Sequence, residues 1–307
     1  MRAISQRAFG GPEVLEFVEL PKPRPRRGEV LVRVEGASVN PVDTYLRSGR
    51  VQFFGPPPFT LGFDLSGVVE EAGPGVTRFG PGDAVFGMPR SPAATHAEYT
   101  LAPEADITAK PEALDHVAAA AMPAAALTAW QALVRTADVA PGQRVLVHGA
   151  AGGVGHFAVQ VAKARGAHVL ATARADRHEF LAGLGVDEPI DYRTQDFAEV
   201  ARDIDVVVDP VGGDYGVRSL ATLRGNGILV AISPDQRVTA EKARRHGARF
   251  AALGVTASSA DMAALAGLAA DGRLRAHVER CLPLEQAAKG HEFLEAGRMK
   301  GKVVLTP

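Results

Sequence analysis

The chain has 307 residues, 46% of them apolar and 22% charged, which is ordinary folded-protein usage and excludes wholesale disorder. Lys and Arg total 34 against 35 Asp and Glu, a formal net charge of -1, so there is no overall basic field for nucleic acid and no polybasic membrane anchor. The single cysteine, Cys281, excludes an intrachain disulfide and a Cys-rich zinc site, and the expectation is a cytoplasmic, two-domain protein without a membrane span.

The first hundred residues carry short strand-type runs at 30–34 (VLVRV), 66–70 (SGVVE) and 84–87 (AVFG), bounded by Gly and Pro turns. Residues 21–25 (PKPRP) read as an extended linker within this region. Near Asp115 the texture changes to HVAAAAMPAAALTAWQALV, an alanine-rich helix that Pro123 must break or kink. Beyond Pro141 strands are expected at 144–148, 168–172, 189–191, 205–209, 227–232 and 248–253, with helical stretches between them. Short continuous apolar runs alternating with helices read as a parallel sheet covered on both faces. After Asp271 come a strand-like HVERCLPL, a helix near 285–295 and a terminal KVVL, too few elements to bury a core of their own. They are expected to complete the N-terminal domain. The division is then 1–115 with 271–307 for one domain and 116–270 for a second, inserted one.

The most specific local signal follows the strand VLVH. His148-Gly149-Ala150-Ala151-Gly152-Gly153-Val154-Gly155 precedes an amphipathic stretch in which Val154, Phe157, Ala158 and Val161 share one face and Gly166 suits the C-terminal cap. Gly152 and Gly153 let the backbone approach a pyrophosphate, whose charge sits on the free N–H groups of the helix start; Gly155 lets the helix pack tightly on the strand. Strand before, helix after and an α/β run beyond raise this well above a bare glycine triplet, whose bland reading is a packing turn. NAD sites place an acid about 20 residues past the glycines. Here the second strand runs instead into Arg174, whose guanidinium pairs well with a 2′-phosphate, so NADPH is favoured. Asp176 complicates this, being near enough to serve an NAD ribose if the loop turns differently.

Several motifs in one order carry a resemblance over the whole chain: MRAISQRAFGGPEVLEFVELPKPRPRRGEVLVRV, SVNPVDTY with LRSG, LGFDLSGVVEEAGPGVTRFGPGDAVFG, LTAWQAL, VLVHGAAGGVGHFAVQVAKARGA, VVVDPVGG and GKVVL. The sequence resembles the zinc-free quinone oxidoreductases, the zeta-crystallin-like branch of the medium-chain dehydrogenase/reductase superfamily. That resemblance implies an α/β fold: a GroES-like, β-rich catalytic domain with an inserted Rossmann-fold dinucleotide-binding domain. Zinc-dependent members place a cysteine ligand where this chain reads SVNPVD and a His-Glu pair where it reads Phe63-Asp64, so a zinc alcohol dehydrogenase is excluded. Asp64 and His96 are therefore expected in capping or surface roles.

By the same resemblance, Ala151, Gly152, Gly153 and Val154 meet the pyrophosphate, Thr128 lies near the nicotinamide, and Arg174 with Tyr192 forms the 2′-phosphate pocket. Ile232, Ser233 and the loop from Leu253 to Val255 flank the cofactor, and Lys302 closes over it from the catalytic domain. Asn40 and Tyr45 are the polar pair expected in the acceptor pocket, against structural readings as a turn cap and a half-buried helix residue. The implied activity is hydride transfer from NADPH to quinones or activated alkenes. Its rivals are an enoyl-thioester reductase and a non-catalytic NADPH-binding protein. The last Rossmann strand, ARFAAL, is expected at a sheet edge, where it would pair two copies into a homodimer.

Overall fold

Gly and Pro punctuation in the first hundred residues produces many short strands. In the computed structural model, which describes residues 1–90 and 94–307, these are β1 (Arg2–Gln6), β2 (Leu15–Glu19), β3 (Glu29–Val39), β4 (Phe59–Thr60), β5 (Leu65–Ala72), β6 (Ala84–Gly87), β7 (Tyr99–Pro103) and β8 (Ile107–Ala109). One helix, α1 (Pro41–Arg47), follows β3 directly, because Pro41 has no N–H to lose at the first helical position. The alanine-rich stretch divides at Pro123 as its chemistry requires: α2 spans His116–Ala120 and α3 opens on Pro123 and runs to Trp130.

The repetitive middle of the chain alternates β9 (Arg144–Val147), α4 (Gly155–Ala164), β10 (His168–Ala173), α5 (His178–Gly183), β11 (Glu188–Asp191), α6 (Phe197–Val200), β12 (Ile204–Asp209), α7 (Asp214–Ser219), β13 (Leu223–Ala231), α8 (Ala240–Arg245) and β14 (Arg249–Ala252). Its six strands are parallel and lie in the order β11-β10-β9-β12-β13-β14, with β14 at one edge. Relative to the first strand of the unit this is 3-2-1-4-5-6, the doubly wound dinucleotide-binding order. Leu146, Leu170, Val207 and Leu229 from four strands pack with Phe197 of α6 and Leu220 at the end of α7, so the apolar runs are buried against helices, as their lack of alternation implied.

The remaining elements are α9 (Ser259–Ala270), β15 (Val278–Pro283), α10 (Ala287–Glu295) and β16 (Lys302–Thr306). β16 runs antiparallel to β3, pairing Val303 with Val39 and Leu305 with Ala37, so the C-terminal strand completes the N-terminal sheet β15-β16-β3-β5-β6-β8. The two compact units, outer and inner in chain order alone, are Met1–Leu127 with Ala257–Pro307, and Thr128–Thr256. Both boundaries differ from the sequence expectation of 116 and 270. The reason is packing: α2 lies on β3 and β5, and α9 lies on β8, so both helices belong to the outer unit although their composition resembles the Rossmann helices.

The tightest backbone approach in the inner unit is at Gly155. A Cβ placed there would stand 2.3 Å from the Gly149 carbonyl oxygen and 2.6 Å from Ala150 Cα, both backbone atoms that cannot swing aside. Gly155→Ala should therefore destabilise the protein by about 1–3 kcal/mol, the usual scale of overpacking. Urea unfolding of the two forms checks this, and an unchanged midpoint would contradict it.

Candidate active site

In the inner unit the glycine turn is built around Gly149, held at φ +55°. Its carbonyl accepts from the Gly152 amide at 2.9 Å, which closes the turn, and the first helix-type bond begins only at His156, whose amide donates to the Gly152 carbonyl at 3.1 Å. Among the described residues, no acceptor meets the amides of Gly153, Val154 and Gly155. These three N–H groups open α4, where the helix dipole is positive, and they fit an anionic pyrophosphate. The sequence expectation is refined here. Gly152 serves the turn through its own amide, whereas Gly155, expected only to permit packing, also carries an open donor.

Most of the remaining cofactor candidates lie just past the carboxyl ends of the parallel strands, where open α/β sheets bind ligands. Arg174 follows β10 and Tyr192 follows β11, and because Ala173 pairs with Asp191 the two residues are neighbours across the sheet. Ile232 and Ser233 follow β13; their amides turn back to the Asp209 carbonyl at 2.9 and 3.5 Å. Leu253 and Val255 follow β14. Thr128 lies on α3 rather than at a strand end. Arg174 forms a two-pronged pair with Asp176, Nη2 to Oδ2 at 2.6 Å and Nε to Oδ1 at 3.1 Å. Desolvation pulls the Asp176 pKa up, but the hydrogen bond and charge of Arg174, with Arg177 and Arg193 beyond, hold it below the ordinary range.

Lys302 departs from the expected role. It belongs to the outer unit, at the start of β16, and is 4% exposed. Its ammonium donates to Asn40 Oδ1 at 2.5 Å and lies 3.4 Å from Asp64 Oδ2 and 3.5 Å from the Val39 carbonyl. Asn40 Nδ2 in turn donates to Asp64 Oδ2 at 2.9 Å and approaches the Ser38 carbonyl at 3.5 Å. Asp64 also accepts from the Ser38 hydroxyl and, at 2.6 Å, from the Ala124 amide.

Two expectations change as a result. Asp64 and His96 are fully buried, so neither has a surface role. The Asn40 amide faces inward to Lys302 and Asp64 instead of offering donors to an acceptor. Its backbone still begins α1, where the Asp43 carboxylate accepts from the Asn40 amide at 2.8 Å and from the Gly62 amide at 3.0 Å. Burial raises the Asp43 pKa, against the pull of His96 and these two hydrogen bonds. Tyr45, one turn along α1, is half-buried, with the Arg50 guanidinium 4.7 Å from its ring centre. The sequence gives Asp64 a capping or surface role, and of these the capping role stands, through the Ala124 amide near the start of α3. The usable signal was a lone carboxylate inside the apolar run LGFDLSG, which demands a buried partner.

A family model described as an alcohol dehydrogenase GroES-like domain matches residues 26–112, and one described as a zinc-binding dehydrogenase matches residues 184–305. The human quinone oxidoreductase is 31% identical over an alignment covering 99% of this chain and 97% of that protein. The structure of the quinone oxidoreductase from Coxiella burnetii matches with a TM-score of 0.93 at 36% identity, covering 100% of this chain and 99% of that one. The chain belongs to the quinone oxidoreductase family of the medium-chain dehydrogenases/reductases. A further family member, the Escherichia coli quinone oxidoreductase complexed with NADPH, matches with a TM-score of 0.90 at 27% identity over 100% of both chains.

Two features of this quinone oxidoreductase family member make measurable predictions. His148 and His291 are both buried, with pKa values pushed down to about 3 and about 2. In each case burial is the main cause, joined by Arg218 at His148 and by His96 and Arg47 at His291. Both rings stay neutral when folded and take up a proton when unfolded near the ordinary value of about 6.5. Their neutrality therefore costs nothing above about pH 6.5, and stability falls as pH drops below it, by up to about 1.4 kcal/mol per pH unit for each ring. Urea unfolding at pH 7.5, 6.5 and 5.5 should show most of that loss in the lower interval; a flat profile would contradict it.

The second feature is the Lys302–Asp64 pair. Lys302→Met should destabilise the protein by about 3–5 kcal/mol, because it leaves the Asp64 charge buried without its cation. Adding Asp64→Asn should recover part of that loss, and a double variant no more stable than Lys302→Met would rule out the charge explanation.

Proposed function

We propose that this oxidoreductase uses NADPH to reduce quinones or other activated, carbonyl-conjugated alkenes, in the cytoplasm and without zinc. The observation that carries the reading is the set of open amides at Gly153, Val154 and Gly155, with Arg174 and Tyr192 following the two neighbouring strands. Those amides suit the pyrophosphate, and the Arg174 guanidinium suits a 2′-phosphate, which would replace Asp176 as its bidentate partner. Ile232, Ser233, Leu253 and Val255 offer the rest of the wall from the same row of strand ends.

Bound NADPH supplies a hydride donor; an already electrophilic acceptor needs no Lewis acid to receive the hydride. The chain's residues support zinc independence by their chemistry. Phe63 has no metal-ligating atom, and the Asp64 carboxylate is committed to Ser38, Asn40, Lys302 and Ala124. In the outer unit Tyr45 is the residue assigned to the acceptor. Its hydroxyl donates a hydrogen bond to the oxygen on which charge develops, while water supplies the proton. Asn40 is assigned a positioning role, fixing the start of the helix that carries Tyr45. A homodimer paired through the β14 edge belongs to the same proposal.

The deciding experiment follows NADPH oxidation with 1,4-benzoquinone, 9,10-phenanthrenequinone and crotonyl-CoA, before and after exhaustive chelation. Turnover of the quinones that survives chelation is the expected result. Turnover of crotonyl-CoA alone would establish a thioester reductase, and turnover of none would leave a non-catalytic cofactor-binding protein. Activity lost on chelation and restored by zinc would overturn the metal-free reading.

For cofactor choice, NADPH should bind at least about tenfold more tightly than NADH, equivalent to about 1.4 kcal/mol. Arg174→Ala should remove most of that preference with NADH binding little changed. Equal affinities in the unaltered protein would refute the assignment of Arg174.

A further inference from the structure

Directly beneath the glycine turn lies a buried chain of hydrogen bonds whose direction can be worked out completely. His148, the residue after β9, is fully buried, as are Thr172 and Ser219. The Ser219 hydroxyl donates to the Tyr215 carbonyl at 2.7 Å. Its oxygen therefore meets His148 Nε2, 2.8 Å away, as an acceptor, and Nε2 must carry the ring hydrogen. A neutral imidazole protonated at Nε2 has a lone pair at Nδ1, so the Thr172 hydroxyl donates to it across 3.1 Å. With its only hydrogen so engaged, the Thr172 oxygen remains an acceptor, and it accepts from the Gly149 amide at 3.2 Å.

We infer that His148 is a positioning residue for the cofactor pyrophosphate, holding the Gly149 peptide through Thr172 and thereby aiming the amides of Gly153, Val154 and Gly155. The link from Gly149 to those amides is short. Its carbonyl receives the Gly152 amide, and the same oxygen is the atom against which Gly155 packs. The Gly149 amide and carbonyl belong to successive peptide planes joined at its Cα, so a shift of the amide displaces that Cα and with it the carbonyl that sets both ends of the turn. The opposite tautomer of His148 would set the Nε2 lone pair against the Ser219 oxygen, whose hydrogen is already engaged, and would deprive the Thr172 hydroxyl hydrogen of its ring acceptor.

Packing holds the ring in place independently of these bonds. The His148 ring centre lies 4.5 Å from that of Phe197 and 5.1 Å from that of Tyr215, both in edge-on geometry, and Phe197 and Tyr215 stack on each other at 5.3 Å. The ring is thus clamped on its sides and committed at both nitrogens. No part of this arrangement needs His148 to touch the cofactor.

The inference rests on the cofactor reading above, and the test separates the two. Thr172→Val removes the hydroxyl while keeping the shape, and Thr172→Ser keeps the hydroxyl. Fluorescence titration with NADPH and with NADH gives Kd, and thermal melting without cofactor reports the fold. Thr172→Val should weaken both cofactors about tenfold and to the same extent, because both carry the pyrophosphate, with the kinetic loss in KM for the cofactor and not in kcat. Thr172→Ser should return Kd to within about threefold of the unaltered protein. Nitrogen-15 NMR of the imidazole should show the His148 hydrogen on Nε2.

Unaltered Kd in Thr172→Val, failure of Thr172→Ser to rescue, or a hydrogen on Nδ1 would each overturn the inference while leaving the cofactor reading intact. An unaltered protein that binds neither NADPH nor NADH would overturn both. A loss for NADPH alone would place Thr172 with the 2′-phosphate and likewise overturn the inference.

Discussion

The contact between the Gly155 backbone and the Gly149 carbonyl governs the nucleotide-binding unit. Two backbones can approach this closely only where no Cβ intervenes, so the close seat of α4 behind β9 exists because Gly155 lacks a side chain. With the helix seated there, Gly152 closes the turn on the same carbonyl, and among the described residues the next three amides meet no acceptor at the positive end of the helix. The doubly wound strand order then sets the ends of β10, β11, β13 and β14 on the same side of the sheet as that turn. A row of side chains distant in sequence thus becomes a set by virtue of parallel strands sharing one direction.

The outer unit depends on a different constraint, the cost of burying charge. Asp64 and Lys302 are removed from water together, and neither is tolerable alone. Asn40 between them is well suited to the task, because an amide presents an acceptor to the ammonium and a donor to the carboxylate. The pair also ties the first and last parts of the chain: Asn40 follows β3, Asp64 precedes β5 and Lys302 opens β16. The charge network and the strand ladder between β3 and β16 therefore reinforce the same closure.

Much of the fold was legible in the sequence because it rests on local signals. The Rossmann strands lie within a residue or two of their expected positions except β13, whose irregular start at Leu223 precedes the apolar run on which the reading was based. Pro123 divides the alanine-rich stretch where its missing N–H demands. The unit boundaries were less legible, since α2 and α9 are alanine-rich helices with little to mark which sheet they cover. At the site, the glycine turn was readable from spacing, but the internal use of the Gly152 amide was not. That depends on the left-handed geometry at Gly149, which spacing does not encode.

What the sequence determined by itself was the alternation of elements, the position and chemistry of the glycine turn, and the family to which the chain belongs. These follow from properties carried by short segments: period, turn chemistry and the order of motifs. Only the tertiary structure decided that Lys302 pairs with Asn40 and Asp64, that Asn40 faces inward, and that His148 lies at the head of a hydrogen-bond chain to the cofactor turn. Each of these joins residues that are far apart in the chain. Burial fixes such partnerships, because a polar group removed from water must find its complement wherever the fold brings one within reach.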